Sequence, residues 1–405
     1  MSVLLTLAVA LSLTPNSSST EAKQDFATPS QAYAFVQQPT KDRDAAVHAG
    51  KRPSPGVNPR DEVHRRARTW CPVFAVEKQS GDELYFLALL CRDALNWQKA
   101  RAATDQYLAD KQQPLGAEAR LLLAFLDHML SELDKSWQTL RVVLEKDPIE
   151  YKQSVMVDSL IDDEARKHEA TALDWSKERY SLLVNRAKNP TPDAPEVSYQ
   201  WVVFAGTDLV HRYYLLGKND EAQKVLEQLN QFEETHQSDI QGFASESLHW
   251  ANMEMRPAPP IPVQKLLSRA PVSDVIQKGR VEIVSFFFLG CAPCMSELPA
   301  LNDLQERYEK DKVLVADITT YKANSSIDPP TQSNIEAALN QTRLKNAPDL
   351  SMVVTSDATM ANYGVNGFPV VAVIDKGGRL RYVGREIDFD ADEPIGRLVH
   401  RLAEE

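Results

Sequence analysis

Val281-Glu282-Ile283-Val284-Ser285-Phe286-Phe287-Phe288-Leu289-Gly290-Cys291-Ala292-Pro293-Cys294 decides how this chain folds. The stretch opens as an apolar run, with the character of a strand buried on both faces. It closes on a Cys-x-x-Cys pair. The residues beyond carry apolar side chains at helical spacing, at Cys294, Leu298, Leu301, Leu304 and Tyr308. A cysteine pair at a strand-to-helix seam is the arrangement for thiol–disulfide exchange. The first turn of a helix offers unpaired N–H groups and partial positive charge, both of which favour a thiolate. Two intervening residues put both sulfurs on one turn, within reach of a short-loop disulfide.

Further along, Gly367-Phe368-Pro369 precedes the apolar run Val370 to Ile374. Asp375-Lys376-Gly377-Gly378 then turns the chain into Leu380 to Val383, which predicts a hairpin. Val313 to Ile318 and Met352 to Thr355 are further strands, and Arg397 to Ala403 lies in a closing helix. Pro299 falls inside the helix after the cysteines, where a kink is expected. Residues 320–350 read as an insertion, broken at Ile327-Asp328-Pro329-Pro330 and helical from Gln332 to Leu344. Its position suggests either a surface that shapes substrate binding or a loop that merely decorates the domain.

Two blocks, Cys291 to Leu301 and Tyr363-Gly364-Val365-Asn366-Gly367-Phe368-Pro369, resemble the thioredoxin superfamily, and more narrowly its exported TlpA/ResA-type thiol reductases. The resemblance covers roughly residues 262–405. It implies an α/β domain with a central mixed sheet and a cis peptide before Pro369, beside the cysteines. It also implies a redox-active disulfide, Cys291–Cys294, with no other cofactor. Gly290 stands where the family usually has tryptophan, and Ser285 where many thioredoxins bury an aspartate. Cys291 is the expected attacking thiolate and Cys294 the resolving thiol. The backbone at Gly367 and Phe368, with Gly290 beside the first cysteine, is the expected substrate-contacting strip. Glu297 occupies a position where such reductases carry a glutamate, one turn from Cys294. It reads either as a proton acceptor or as a solvated helix residue.

A zinc site would need two more ligands at matching spacing. There is no second Cys-x-x-Cys, and the eight histidines are scattered, so no metal is expected. Peroxiredoxins carry threonine or serine three residues before the reactive cysteine, where this chain has Phe288.

At 405 residues the chain should hold more than one domain. Its net charge of −12 excludes nucleic acid as a partner, because phosphates would be repelled. Val3 to Leu13 is apolar but too short to span a bilayer, and it suits a signal peptide over residues 1–19. That predicts an exported, periplasmic or extracytoplasmic protein, held to a membrane only if the segment stays uncleaved; without the signal it would be cytoplasmic. Residues 20–60 read as a disordered linker and residues 61–255 as helical. Leu215 to Ala222 resembles the turn of a tetratricopeptide repeat, so a helical repeat and a plain bundle both remain open. Arg256-Pro257-Ala258-Pro259-Pro260-Ile261-Pro262 reads as a semi-rigid linker, with the thioredoxin-like domain at 263–405. Cys71 and Cys91 form a second pair, joined if the compartment is oxidising.

Two functions fit. One is a thiol–disulfide oxidoreductase reducing disulfides of exported proteins, with the helical part binding a protein substrate or an electron-donor or acceptor thiol protein. The other is a helical scaffold whose thioredoxin-like domain only docks partners.

Overall fold

The structure is a computed structural model that describes residues 25–49, 58–110, 113–192, 196–267, 275–385 and 393–405. An all-α part precedes an α/β part with a central mixed sheet, as the sequence predicts. The chain divides into two compact units, Met1–Leu130 and Ser131–Glu405. The boundary expected near residue 255 therefore falls inside the second unit.

The first unit contains α1 (Pro29–Val36), α2 (Gln38–His48), α3 (Pro59–Trp70), α4 (Asp82–Asp93), α5 (Trp97–Leu108) and α6 (Gly116–Met129). The segment expected to be a disordered linker is helical over α1 and α2. Thr28 caps α1 through its side chain, and Ala32 and Val36 are buried against the unit's core. Three-residue 3-10 turns follow α3 at Cys71–Val73 and Val76–Lys78. Helices α4 and α5 are separated at Leu95, which takes a left-handed φ of 60°. Asn96 then caps α5, accepting the Lys99 N–H. Cys71 and Cys91 are disulfide-bonded, tying the end of α3 to α4. The expected signal peptide lies outside the described residues.

The second unit opens with α7 (Leu133–Lys146), α8 (Tyr151–Lys167), α9 (Glu169–Lys188), α10 (Tyr199–Leu215), α11 (Asn219–Thr235) and α12 (Phe243–Met253). It continues through β1 (Lys265–Leu267), β2 (Val281–Phe286), α13 (Ala292–Arg307), β3 (Val313–Thr320), α14 (Gln332–Asn346), β4 (Ser351–Thr355), α15 (Asp357–Asn362), β5 (Val370–Ile374), β6 (Leu380–Gly384) and α16 (Pro394–Glu404). The sheet order is β1-β4-β3-β2-β5-β6. Strands β2, β3 and β4 run parallel, while β5, β6 and β1 are antiparallel to their neighbours.

Both sheet faces are covered. Val281 and Ile283 of β2, Val313 and Val315 of β3, and Val371 and Val373 of β5 pack under Leu298 and Leu301 of α13, Leu339 of α14 and Val399 of α16. On the other face Phe286, Ile318 and Val370 meet Trp250 of α12 and Tyr363. Parallel strands need a long crossover, and α14 supplies it between β3 and β4. The second half of the 320–350 segment is therefore a core helix rather than an added surface. Ile335 and Leu339 are buried in the same cluster as the cysteines.

The proline-rich stretch is likewise no free linker. Leu380 N–H donates to Arg256 O at 2.9 Å and Ala258 N–H to Gly378 O at 2.9 Å, so the stretch runs along the outer edge of β6. Prolines suit that edge because they have no N–H to leave unpaired. Ile261 is buried beneath the sheet, and the Tyr363 hydroxyl donates to Pro259 O.

Candidate active site

The site grows out of the end of β2. Phe287 N–H still bonds to Ile318 O of β3, and then the chain leaves the sheet. Leu289 N–H donates to Asn324 Oδ1 at 2.9 Å. Cys291 N–H turns back to Phe288 O, and α13 begins at the next residue. Cys291 is the N-cap, with extended backbone, and its Sγ accepts the Cys294 N–H at 3.1 Å. That donor, with the helix end behind it, favours negative charge on the Cys291 sulfur once the bond is reduced. The two sulfurs are bonded at 2.00 Å. Both residues are buried, Cys291 at 5% exposure and Cys294 at 2%, while Gly290, Ala292 and Pro293 around them are exposed. The helix runs on through Pro299 to Arg307. Pro299 has no N–H, so the Met295 carbonyl lacks its usual helical donor.

The peptide between Phe368 and Pro369 is cis. Strand β5 starts immediately after it, and Val370 pairs with Phe286 at the end of β2. The proline block and the cysteine loop thus leave neighbouring strands at the same end of the sheet. The half-buried Phe368 ring meets Phe288 edge-on, with centroids 5.2 Å apart. A Cβ at Gly290 would lie 2.7 Å from the Phe288 ring, so that aromatic occupies the space beside the first cysteine. A Cβ at Gly367 would lie 2.8 Å from the Arg385 guanidinium. The structure therefore brings together Cys291, Cys294, Gly290, Gly367, Phe368 and Pro369.

Glu297 is buried at 7% exposure, not solvated. Burial pushes its carboxyl up to about 7. Cys71 and Cys91 belong to the other unit, within its own core.

Three features escaped the sequence reading. Asp317 of β3 is wholly buried, and burial raises its carboxyl to about 8; the Ser285 hydroxyl works against this and the Glu297 charge adds to it. A lone aspartate inside an apolar strand was the available signal. Asn324 is also wholly buried, with Nδ2 donating to Thr319 Oγ1 and Thr320 O. Nothing in local sequence marks it.

The third is the contact of α12 with the proline block. Trp250 Nε1 donates to Tyr363 O at 3.0 Å, and Glu246 holds Arg385 at 2.8 Å. The Arg385 guanidinium also lies over the rings of Phe243 and Trp250. A groove of about 720 Å³ lies here, lined by Phe243, Glu246, His249, Gly364, Asn366 and Arg385.

Among the described residues no group of three or more His, Cys, Asp or Glu side chains is placed to hold a metal. No described helix is long and apolar enough to cross a membrane.

Residues 260–395 match the Redoxin family model. A search of curated proteins found no match. Among solved structures, a thiol-disulfide isomerase from Corynebacterium glutamicum is similar at 22% identity over 36% of this chain and 97% of that one, with a TM-score of 0.30. A thiol:disulfide interchange protein of the thioredoxin family from Chlorobium tepidum is similar at 22% identity, over 36% and 97%, with a TM-score of 0.29. The thioredoxin domain of a thiol-disulfide oxidoreductase from Bacteroides vulgatus is similar at 19% identity, over 36% and 97%, with a TM-score of 0.29.

Proposed function

We propose that this protein is a thiol–disulfide oxidoreductase of the TlpA/ResA type that reduces disulfides of exported proteins through Cys291 and Cys294. The observation that carries the reading is the Cys291 sulfur at the mouth of α13, bonded to Cys294 and beside the strand that follows cis-Pro369. The Redoxin match over residues 260–395 agrees with it. The reduced Cys291 thiolate attacks a substrate disulfide, and Cys294 resolves the mixed disulfide by attacking Cys291. Gly367 and Phe368 offer extended backbone to the substrate segment. The two cysteines supply both electrons, so the exchange uses no bound cofactor.

Export is supported by the apolar run at residues 3–13 and by the pairing of all four cysteines, which an oxidising compartment favours. The helices preceding the sheet serve as a partner-binding module. Their support is the groove where α12 meets the proline block, within reach of a chain lying along Gly367 and Phe368.

The experiment is insulin reduction together with mixed-disulfide trapping. Cys294→Ser should accumulate a covalent adduct with a protein thiol, and Cys291→Ser should abolish both reduction and adduct. Unchanged exchange in Cys291→Ser would overturn the reading.

A further inference from the structure

Two acids, Asp317 and Glu297, are buried on the sheet face that carries the cysteines, and among the described residues no cation acts on Asp317. Strand alternation puts Ser285 and Asp317 on the same sheet face as Val281, Ile283, Val313 and Val315, which is the face α13 covers. Ser285, Asp317 and Met352 form one row across β2, β3 and β4, in register. Glu297 is buried on α13, one turn from Cys294. Among the described residues, neither Asp317 oxygen meets a protein donor at hydrogen-bond geometry, and Glu297 Oε2 also lacks one. Ser285 is near enough to favour the Asp317 charge without satisfying it. Around them α13, α14 and α16 pack apolar residues such as Leu298, Leu339 and Val399, and the buried polar groups Gln305 and Asn302 of α13 and Arg343 of α14 are engaged elsewhere, with Val313 O and Val315 N–H, with Asp349 N–H, and with Pro348 O. Among the described residues, the charged group acting on Asp317 is Glu297.

We propose that Asp317 and Glu297 act as one proton-sharing carboxyl pair beneath the Cys291–Cys294 disulfide, with Glu297 receiving the Cys294 proton and Asp317 setting when it can. Two buried carboxylates without a cation cannot both ionise cheaply. The pair therefore carries one proton and one negative charge around neutral pH, and its titrations belong to the pair rather than to either residue. Both groups are displaced upward by burial, Asp317 above Glu297, which agrees with that order. Asp317 acts through Glu297 and is a positioning residue.

The proposal rests on the exchange chemistry above and adds its proton balance. Cys291 joined to a substrate sulfur forms the mixed disulfide. The Cys294 thiol gives its proton to the ionised carboxyl of the pair. The Cys294 thiolate attacks Cys291 Sγ, the Cys291–Cys294 bond forms, and the bond to the substrate sulfur breaks. The substrate leaves as a thiolate with the electron pair. Two electrons have passed to the substrate over the whole exchange, and the carboxyl pair has gained one proton.

Infrared spectroscopy of the oxidised full-length protein tests the pair without depending on exchange. A protonated buried carboxylic acid band should persist at about pH 7 and disappear on raising the pH through about 8. Asp317→Asn should remove the part of the band that titrates last. Single-turnover resolution should rise with pH in two steps in the wild type, and Asp317→Asn should lose the upper step only. In Glu297→Gln the remaining carboxyl should titrate lower, because its like-charged neighbour is gone.

A wild-type spectrum without that band at neutral pH would overturn the proposal, even if no variant folds. Two unchanged rate steps in Asp317→Asn would also overturn it. Inert Cys291 with an intact band would instead remove the exchange reading and leave the proton-sharing pair in place.

Discussion

The Leu289 N–H and the Asn324 side chain hold the Cys291 loop to β3: the amide donates to Oδ1 at 2.9 Å, while Nδ2 of the same side chain reaches Thr319 Oγ1 at 2.7 Å and Thr320 O at 2.9 Å. Three bonds from one wholly buried side chain fix a loop that has already left the sheet. Asn324→Ala would leave the Leu289 N–H and the Thr320 carbonyl without this partner, at a cost of about 2 kcal/mol. It would also loosen the seat of the Cys291 sulfur. Denaturant unfolding should show the lower midpoint, and disulfide reduction should slow by several-fold. Unchanged stability would remove the clamp from the account.

Glu297 gives stability a pH dependence of defined sign. Its folded carboxyl sits at about 7 against an ordinary 4.5, so the folded state prefers the protonated form. That preference is fully present below about pH 4.5 and fades as pH rises toward 7, lowering wild-type stability by up to about 3 kcal/mol. Glu297→Gln cannot ionise. Relative to wild type, the variant should therefore gain stability between about pH 4.5 and about pH 7. Urea unfolding of both oxidised proteins at the two ends of that window decides the matter. A constant difference would mean that Glu297 is not buried as described.

Gly364 takes a φ of +63°, and a Cβ there would lie 2.5 Å from His249 Cδ2 and 3.3 Å from Trp250 Nε1. Gly364→Ala meets both a disfavoured backbone and a close approach of α12. The backbone part costs about 1–2 kcal/mol, and the contact adds to it. A double-mutant cycle with His249→Ala should recover the contact part and keep the backbone part. Complete recovery would mean that the left-handed backbone carries no cost.

The Cys71–Cys91 bond closes a loop with a sequence separation of 20. On the chain-entropy argument its removal costs about 3 kcal/mol. Cys71→Ala with Cys91→Ala should lower the unfolding temperature of the Met1–Leu130 unit while exchange at Cys291 continues at the wild-type rate. A loss of exchange would assign the second pair a part in the chemistry.

Much of the fold was legible because its signals are local. The apolar runs at 281–288 and 313–318 became β2 and β3, and the Asp375-Lys376-Gly377-Gly378 turn became the β5–β6 hairpin, with Asp375 Oδ1 accepting from Gly377 and Arg379 N–H. What misled was composition read without contacts. Polar, proline-bearing stretches at 29–48 and 256–262 looked free, yet Ala32 and Val36 reach the core and the residues after Met255 run along β6. The 320–350 segment looked inserted because its helix packs through only a few apolar positions, Ile335 and Leu339 among them.

The sequence by itself determined the cysteine arrangement: two cysteines one turn apart at the start of a helix, with a proline heading a later strand. Those features depend on neighbours along the chain, and helical geometry alone brings the sulfurs together. The tertiary structure alone decided what surrounds them. Asp317 lies in register with Ser285, Asn324 reaches back to Leu289, and Trp250 of α12 meets Tyr363, because strand pairing and helix packing bring distant segments side by side. Burial shifts a carboxyl through all the atoms that exclude water from it, and that enclosure exists only once the sheet is covered on both faces.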